Sequence, residues 1–180
     1  ELTRVDQGYI VAWGRREALL SALLGALITS SILILAGSLS GYWVLALVPV
    51  IPVFALLVLF FRNPRRVVPM EPGLIVSPAD GTVTDVTLVE EAEFLRAPAV
   101  RVGIFLSIFS VHVNRAPVSG RVEWVRRREG AHHDARRPEC AAENESSWIG
   151  ITRDDTGGPE GVRILVKQIS GAIARRIVCP

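Results

Sequence analysis

The sequence predicts an α+β chain in which an N-terminal transmembrane helical hairpin is followed by a β-rich barrel or sandwich domain. Three observations carry that expectation. From Ala18 through Phe61 there is no Asp, Glu, Lys or Arg, a run of 44 residues, about twice the roughly 20 that cross a bilayer as a helix. Arginine flanks this run on both sides, Arg15 and Arg16 before it and Arg62, Arg65 and Arg66 after it. From Gly73 onward, short apolar or alternating runs recur between Gly, Pro, Asp and Asn signals, which is how strands joined by turns read. The division falls at Arg66, with residues 1–66 as anchor and 67–180 as the β-rich domain.

In the anchor, Arg4, Tyr9 and Trp13 precede the apolar run, as suits a membrane interface. The first span is expected over about 18–39, and its small residues Ser21, Ala22, Gly25, Ala26 and Ser30 allow close helix approach. Ser38, Ser40 and Gly41 form a polar tip. The second span covers about 42–61, with Pro49 and Pro52 expected to kink it, a distortion that membrane helices accommodate. So long an apolar run fits a cleavable signal peptide poorly. Arginine at both flanks and none at the tip places both termini in the cytoplasm by the positive-inside rule, and a shallow re-entrant hairpin is the alternative geometry. In FFRNPRR, Phe60–Arg66, the Asn63-Pro64 pair ends the helix and the arginines lie near anionic head groups.

The β pattern assigns strands to Leu74–Val76, Thr82–Leu88, Val100–Phe109, Gly120–Val125, Ser147–Thr152, Val162–Gln168 and Ile173–Cys179, and their spacing favours a barrel or sandwich. Arg126–Glu143 reads as a polar loop. Its adjacent His132 and His133, with Asp134, lack a third ligand at a familiar spacing, so no metal is expected. The arginines at 126–128 have no interleaved aromatics, which argues against nucleic acid. Cys140 and Cys179 make no metal-ligand spacing and read as unpaired thiols. Net charge is only +2, and the basic residues are nearly all arginine, whose planar fork suits phosphate and carboxylate.

Chemistry concentrates in Phe105–Pro117, FLSIFSVHVNRAP. The apolar stretch Val102–Phe109 reads as a strand buried on both faces, and it delivers His112 beside Asn114 and Arg115. SPADG at Ser77–Gly81 is its expected partner, since Pro78 and Gly81 mark a tight turn that holds Asp80 in place. A histidine and an oriented carboxylate make an acid/base pair, while a structural histidine and a turn-forming aspartate are the bland alternatives.

FFRNPRR, GLIVSPADGTV, VGIFLSIFSVHVNRAPVSGRV, AAENESSWIGI and VKQISGAIARRIV, in that order, resemble the short membrane-anchored phosphatidylserine decarboxylases over nearly everything after Phe60. In that family a proenzyme cleaves itself at a Gly-Ser bond, and the serine becomes an N-terminal pyruvoyl group that forms a Schiff base with the substrate amine and acts as an electron sink. The resemblance implies that Asp80 falls on the aspartate associated with self-cleavage and His112 on the active-site histidine, with Asn114 and Arg115 as substrate-binding candidates. Longer family members carry a second histidine where this chain has Arg115. The one Gly-Ser dipeptide here is Gly37-Ser38, in the membrane tip. The family's cleavage site follows the VKQISGAIARRIVCP region, so the resemblance implies the larger, N-terminal β chain of a processed enzyme, or a chain that ends early, with the pyruvoyl on a separate α chain.

The resulting expectation is a decarboxylase at the cytoplasmic face of the cell membrane, turning phosphatidylserine into phosphatidylethanolamine and CO2. Its partners would be the α chain, the phospholipid and the membrane, not nucleic acid, and a homo-oligomer stays open. A membrane-tethered binding module without chemistry, or a decarboxylase of another serine lipid such as archaetidylserine, are the alternatives. Asp80 and His112 discriminate, because a binding module needs neither.

Overall fold

Of the 180 residues, the computed structural model describes 10–39, 41–69, 71, 73–153 and 161–179. Arg4, Tyr9 and Ser40, assigned above to a membrane interface and the hairpin tip, lie outside them. The chain divides into two units: residues up to Val68 together with Ile108–Val113, and Pro69–Ser107 together with the chain from Asn114 onward.

The first unit is helical. A 3-10 turn at Ala12–Gly14 leads into α1, Arg15–Ser38. The helix starts ahead of the apolar run because Arg15, Arg16 and Glu17 are good helix formers, and Glu17 in the first turn favours the helix dipole. A 3-10 stretch at Gly41–Ala46 then leads into α2, Leu47–Phe60. Pro49 falls in the first turn of α2, where an N–H has no helical partner to lose, so only Pro52 removes an internal bond. Both segments, Ala12–Ser38 and Gly41–Phe60, are long and apolar enough to cross a membrane.

One stripe of α1 faces α2. Gly14, Ala18, Gly25 and Ile32 are buried and Ser21 and Ile28 half-buried, an alternation of four- and three-residue steps that keeps a single seam turned inward. Gly25 permits the close approach, since a Cβ there would lie 2.8 Å from Cγ of Phe54. Ser21 and Gly25 were expected on this seam and are on it. Ala22, Ala26 and Ser30 are exposed instead, because one residue off the seam rotates a side chain about 100° away.

The second unit is built on two antiparallel sheets. Strand β1, Thr82–Glu91, pairs with β2, Ala97–Phe105, and the register shifts between Val83 and Asp85. Strands β3, Arg121–Arg128, β4, Ser146–Arg153, and β5, Val162–Ile169, form a three-stranded sheet in that order, with a short helix α3, Cys140–Glu143, before β4. The β1–β2 turn ties the sheets together. Glu91 closes it by accepting hydrogen bonds from the N–H groups of Glu93 at 3.0 Å and Phe94 at 2.8 Å, and also from Leu95. Burial opposes ionisation of Glu91, but these backbone donors outweigh it and hold its carboxyl below the usual range. Phe94, thrust forward by the turn, is buried and stacks on Trp124 at 5.9 Å, with the Arg163 guanidinium 4.2 Å above its ring. Gly150 makes room for it, as a Cβ there would sit 2.6 Å from the ring.

Several expectations need correction. The stretch Val102–Phe109 is not a strand buried on both faces. Strand β2 ends at Phe105, Val100 and Val102 are exposed, and a turn begins at Ile108. Leu74–Val76 and Ile173–Cys179 lie outside the ladders. The polar loop assigned to Arg126–Glu143 is shorter, because β3 runs on to Arg128, where the ladder with Ser146 and Ser147 overrides the charged sequence, and α3 occupies its end. Two open sheets, rather than a closed barrel, are what the described residues form.

Candidate active site

Two backbone hydrogen bonds place the SPADG turn against the segment that carries Asn114 and Arg115. Val76 N–H donates to Pro117 O at 3.0 Å, and Arg115 N–H donates to Pro78 O at 2.9 Å. The SPADG turn is therefore paired with the Asn114–Pro117 end of that segment within the second unit. Inside the turn, Ser77 Oγ donates to Ala79 O at 2.8 Å, a local closure that fixes the chain just before Asp80. Asp80 is half-buried and lies two residues ahead of β1. Gly81 is required here, because its backbone passes so close to the end of β2 that a Cβ would lie 2.5 Å from Phe105 O. Asp80 is thus held between a closed turn and a strand start that admits no side chain. Asn114 carries a buried Oδ1 with no hydrogen-bond partner among the described residues, which is an acceptor left waiting for a donor.

His112 belongs to the first unit, within Ile108–Val113. Its imidazole lies on the ring of Phe60, the last residue of α2, with centroids 4.2 Å apart and planes tilted by 32°. Arg62, just beyond that helix, donates to Leu59 O at 3.0 Å and to Phe109 O, so one guanidinium joins the helix end to the histidine segment. Nδ1 of His112 lies 3.0 Å from Ser110 O. A carbonyl can only accept, so Nδ1 carries the proton and the neutral ring presents a bare Nε2. Burial pushes the imidazole pKa below its ordinary value, the hydrogen bond to Ser110 partly offsets this, and the charge of Arg62 lowers it further. This histidine is mostly neutral at pH 7, with one nitrogen fixed and the other available.

His132 and His133 serve differently. His132 Nδ1 lies 3.0 Å from Ser170 Oγ, and Glu145 is 3.9 Å from its Nε2. The order serine, histidine, carboxylate invites a nucleophile reading, but Ser170 is 1% exposed and no substrate reaches it. Asn144, fully buried, donates to His133 O and Ser170 O and accepts from His133 N–H. This cluster joins the long loop to the end of β5.

The sequence matches the family model described as phosphatidylserine decarboxylase over residues 53–180. The chain belongs to this family. It is 46% identical to the phosphatidylserine decarboxylase proenzyme of Carboxydothermus hydrogenoformans, over 84% of this chain and 68% of the relative. The proenzymes of Rhodopirellula baltica and Symbiobacterium thermophilum are each 42% identical, over 91% and 86% of this chain and 65% and 67% of their own lengths. The chain thus spans about two thirds of the length of these relatives. The match to the decarboxylase family begins inside α2, so it includes Phe60 and Arg62, the supports of His112, which the sequence places at the membrane joint and in the first family-like segment without linking them to the histidine. Their signal was present in FFRNPRR, but nothing in a linear pattern says that Phe60 meets a ring 52 positions later.

Proposed function

We propose that this chain is the membrane-anchored β chain of a phosphatidylserine decarboxylase, releasing CO2 from phosphatidylserine to leave phosphatidylethanolamine. The observation that carries the reading is that the family match spans residues whose geometry suits the chemistry: Asp80 on a closed turn, and His112 with Nδ1 engaged and Nε2 bare. Residues 1–66 form the anchor and 67–180 the catalytic part, facing the cytoplasm as the flanking arginines favour. The two open sheets would close into a barrel or sandwich when a pyruvoyl-bearing α chain of the same proenzyme packs against them.

The residues present fit a pyruvoyl group and an amine substrate. When bound, that group supplies an electrophilic carbonyl that takes the substrate amine and accepts the electron pair freed as CO2 leaves. Asp80 orients the base that draws the proton from the serine hydroxyl during self-cleavage. Asn114 Oδ1, buried and unpartnered, accepts a hydrogen bond from an N–H of the bound substrate. Arg115 pairs with the phosphate or carboxylate, for which a guanidinium has the matching fork. Protonated at Nε2, His112 returns a proton to the carbon that has lost CO2. Its place against the last residue of α2 suits a substrate that remains in the lipid surface.

The test uses the full-length precursor, expressed in membranes and purified in detergent. Intact-mass measurement should find two chains, the smaller with a pyruvoyl-blocked N-terminus, and the preparation should release CO2 from phosphatidylserine in mixed micelles. A single uncleaved polypeptide without turnover would refute the reading.

A further inference from the structure

The β1–β2 hairpin carries an apolar face that no described residue is seen to cover. The register sets Val86 opposite Val102 and Leu88 opposite Val100, and side chains alternate along a strand, so all four project from one face. Their exposed fractions are 62% for Val86, 76% for Leu88, 67% for Val100 and 50% for Val102. The other face is mixed: Thr87 lies opposite Arg101, which pairs with Asp85 at 2.9 Å, and Val89 lies opposite Ala99, both half-buried. The opposite face is the half-buried one, and these four apolar side chains are left exposed.

A two-stranded hairpin is marginally stable without a third strand or a packed layer. Here the turn is pinned through Phe94, but among the described residues no further strand pairs with β1 or β2. Hydrocarbon is an unsuitable cover, since it offers nothing to the N–H and C=O groups along the outer edges of the hairpin. A layer of polypeptide satisfies face and edges together. The relatives, of whose length the alignments cover 65–68%, have sequence to spare for such a layer. The face also leads toward Asp80, as Val83 at the start of β1 lies opposite Ile104, and a serine that Asp80 helps to activate must be carried past this end of the hairpin.

We propose that the face formed by Val86, Leu88, Val100 and Val102 is the docking surface for the pyruvoyl-bearing chain, which lays an extended apolar segment across it. The inference rests on the decarboxylase reading for the identity of that chain.

The experiment replaces Leu88 with photoreactive benzoylphenylalanine in the full-length precursor, with the same replacement at Thr87 on the opposite face as control. After irradiation of intact membranes, cross-linked peptides are identified by mass spectrometry. Position 88 is expected to capture peptides of the smaller chain, and position 87 is not. Capture of a second copy of this chain, capture of lipid only, or equal yields at the two positions would overturn the proposal. Leu88→Glu and Val100→Glu should each lower co-purification of the smaller chain roughly tenfold or more, because a charge is forced into a dry interface, while Thr87→Glu leaves it unchanged. If the precursor proves uncleaved, the decarboxylase reading fails by itself, and capture by position 88 of the stretch that follows this chain in the same polypeptide still decides the docking.

Discussion

Replacing His112 separates chemistry from support, provided two variants are compared. His112→Ala removes the proposed proton donor and also uncovers the face of Phe60 that the imidazole covers at 4.2 Å. His112→Gln fills much of the same volume and keeps a polar end, yet it cannot hold and return a proton near neutrality. A positioned acid–base group contributes at least about 100-fold to turnover, or roughly 2.7 kcal/mol of barrier at 1.36 kcal/mol per factor of ten. Both variants should lose that much, whereas only the alanine variant should melt at a clearly lower temperature. The assay follows CO2 release by enzyme that has already matured, so that any part played by His112 in self-cleavage is excluded. The pH dependence supplies a second readout. Burial and the Arg62 charge hold the imidazole pKa below its ordinary 6.5, so if the protonated form is the donor, turnover falls as pH rises and the midpoint lies below 6.5. Arg62→Gln should move that midpoint upward. A matured His112→Gln enzyme with near-native turnover would refute the assignment.

Asp80→Asn in the full precursor should leave most of the chain uncleaved on a denaturing gel, and normal processing would reduce Asp80 to a turn former. Phe94→Ala should cost about 3–4 kcal/mol of stability by emptying the joint between the sheets, read as a lower midpoint in chemical denaturation. Glu91→Gln should cost about 1 kcal/mol at pH 7. Because the folded carboxyl pKa lies below the unfolded value of 4.5, that difference is fully present above 4.5 and fades as the pH falls through the lower folded value. With Cys140 and Cys179 replaced by serine, an impermeant maleimide applied to intact cells should label Leu39→Cys and not Glu129→Cys; labelling of neither would favour a re-entrant hairpin.

The spans were legible because hydrocarbon imposes a demand that composition meets directly, with no charge from Ala18 to Phe61. Their packing seam was half legible: small residues announce close approach, but which of Ala22, Gly25 and Ala26 turns inward depends on phase, and phase appears only once the helix has a partner. Among the strands, alternation found β1, β3, β4 and β5. It misjudged β2, because an apolar run looks alike whether its second face is covered or, as at Val100 and Val102, exposed. The turn holding Asp80 and its pairing with Arg115 could be read from Pro and Gly positions. The surroundings of His112 could not, since Phe60 and Arg62 reach it across a long stretch of sequence, and no local pattern records a ring that stacks on an end of a distant helix.

The bond from Arg62 to Phe109 O spans 47 residues, and closing a flexible loop of that length costs about 3.4 kcal/mol before any constant. One guanidinium and one ring contact offset that cost only if α2 is already formed and its end already fixed. Trimming the helices to obtain a soluble enzyme would therefore do more than detach it from its substrate's surroundings. It would delete the ring under the imidazole and the helix end to which Arg62 is bonded, and the histidine of such a truncated protein would be expected to titrate nearer 6.5 and to wander, so its low activity would misreport what the anchored protein can do.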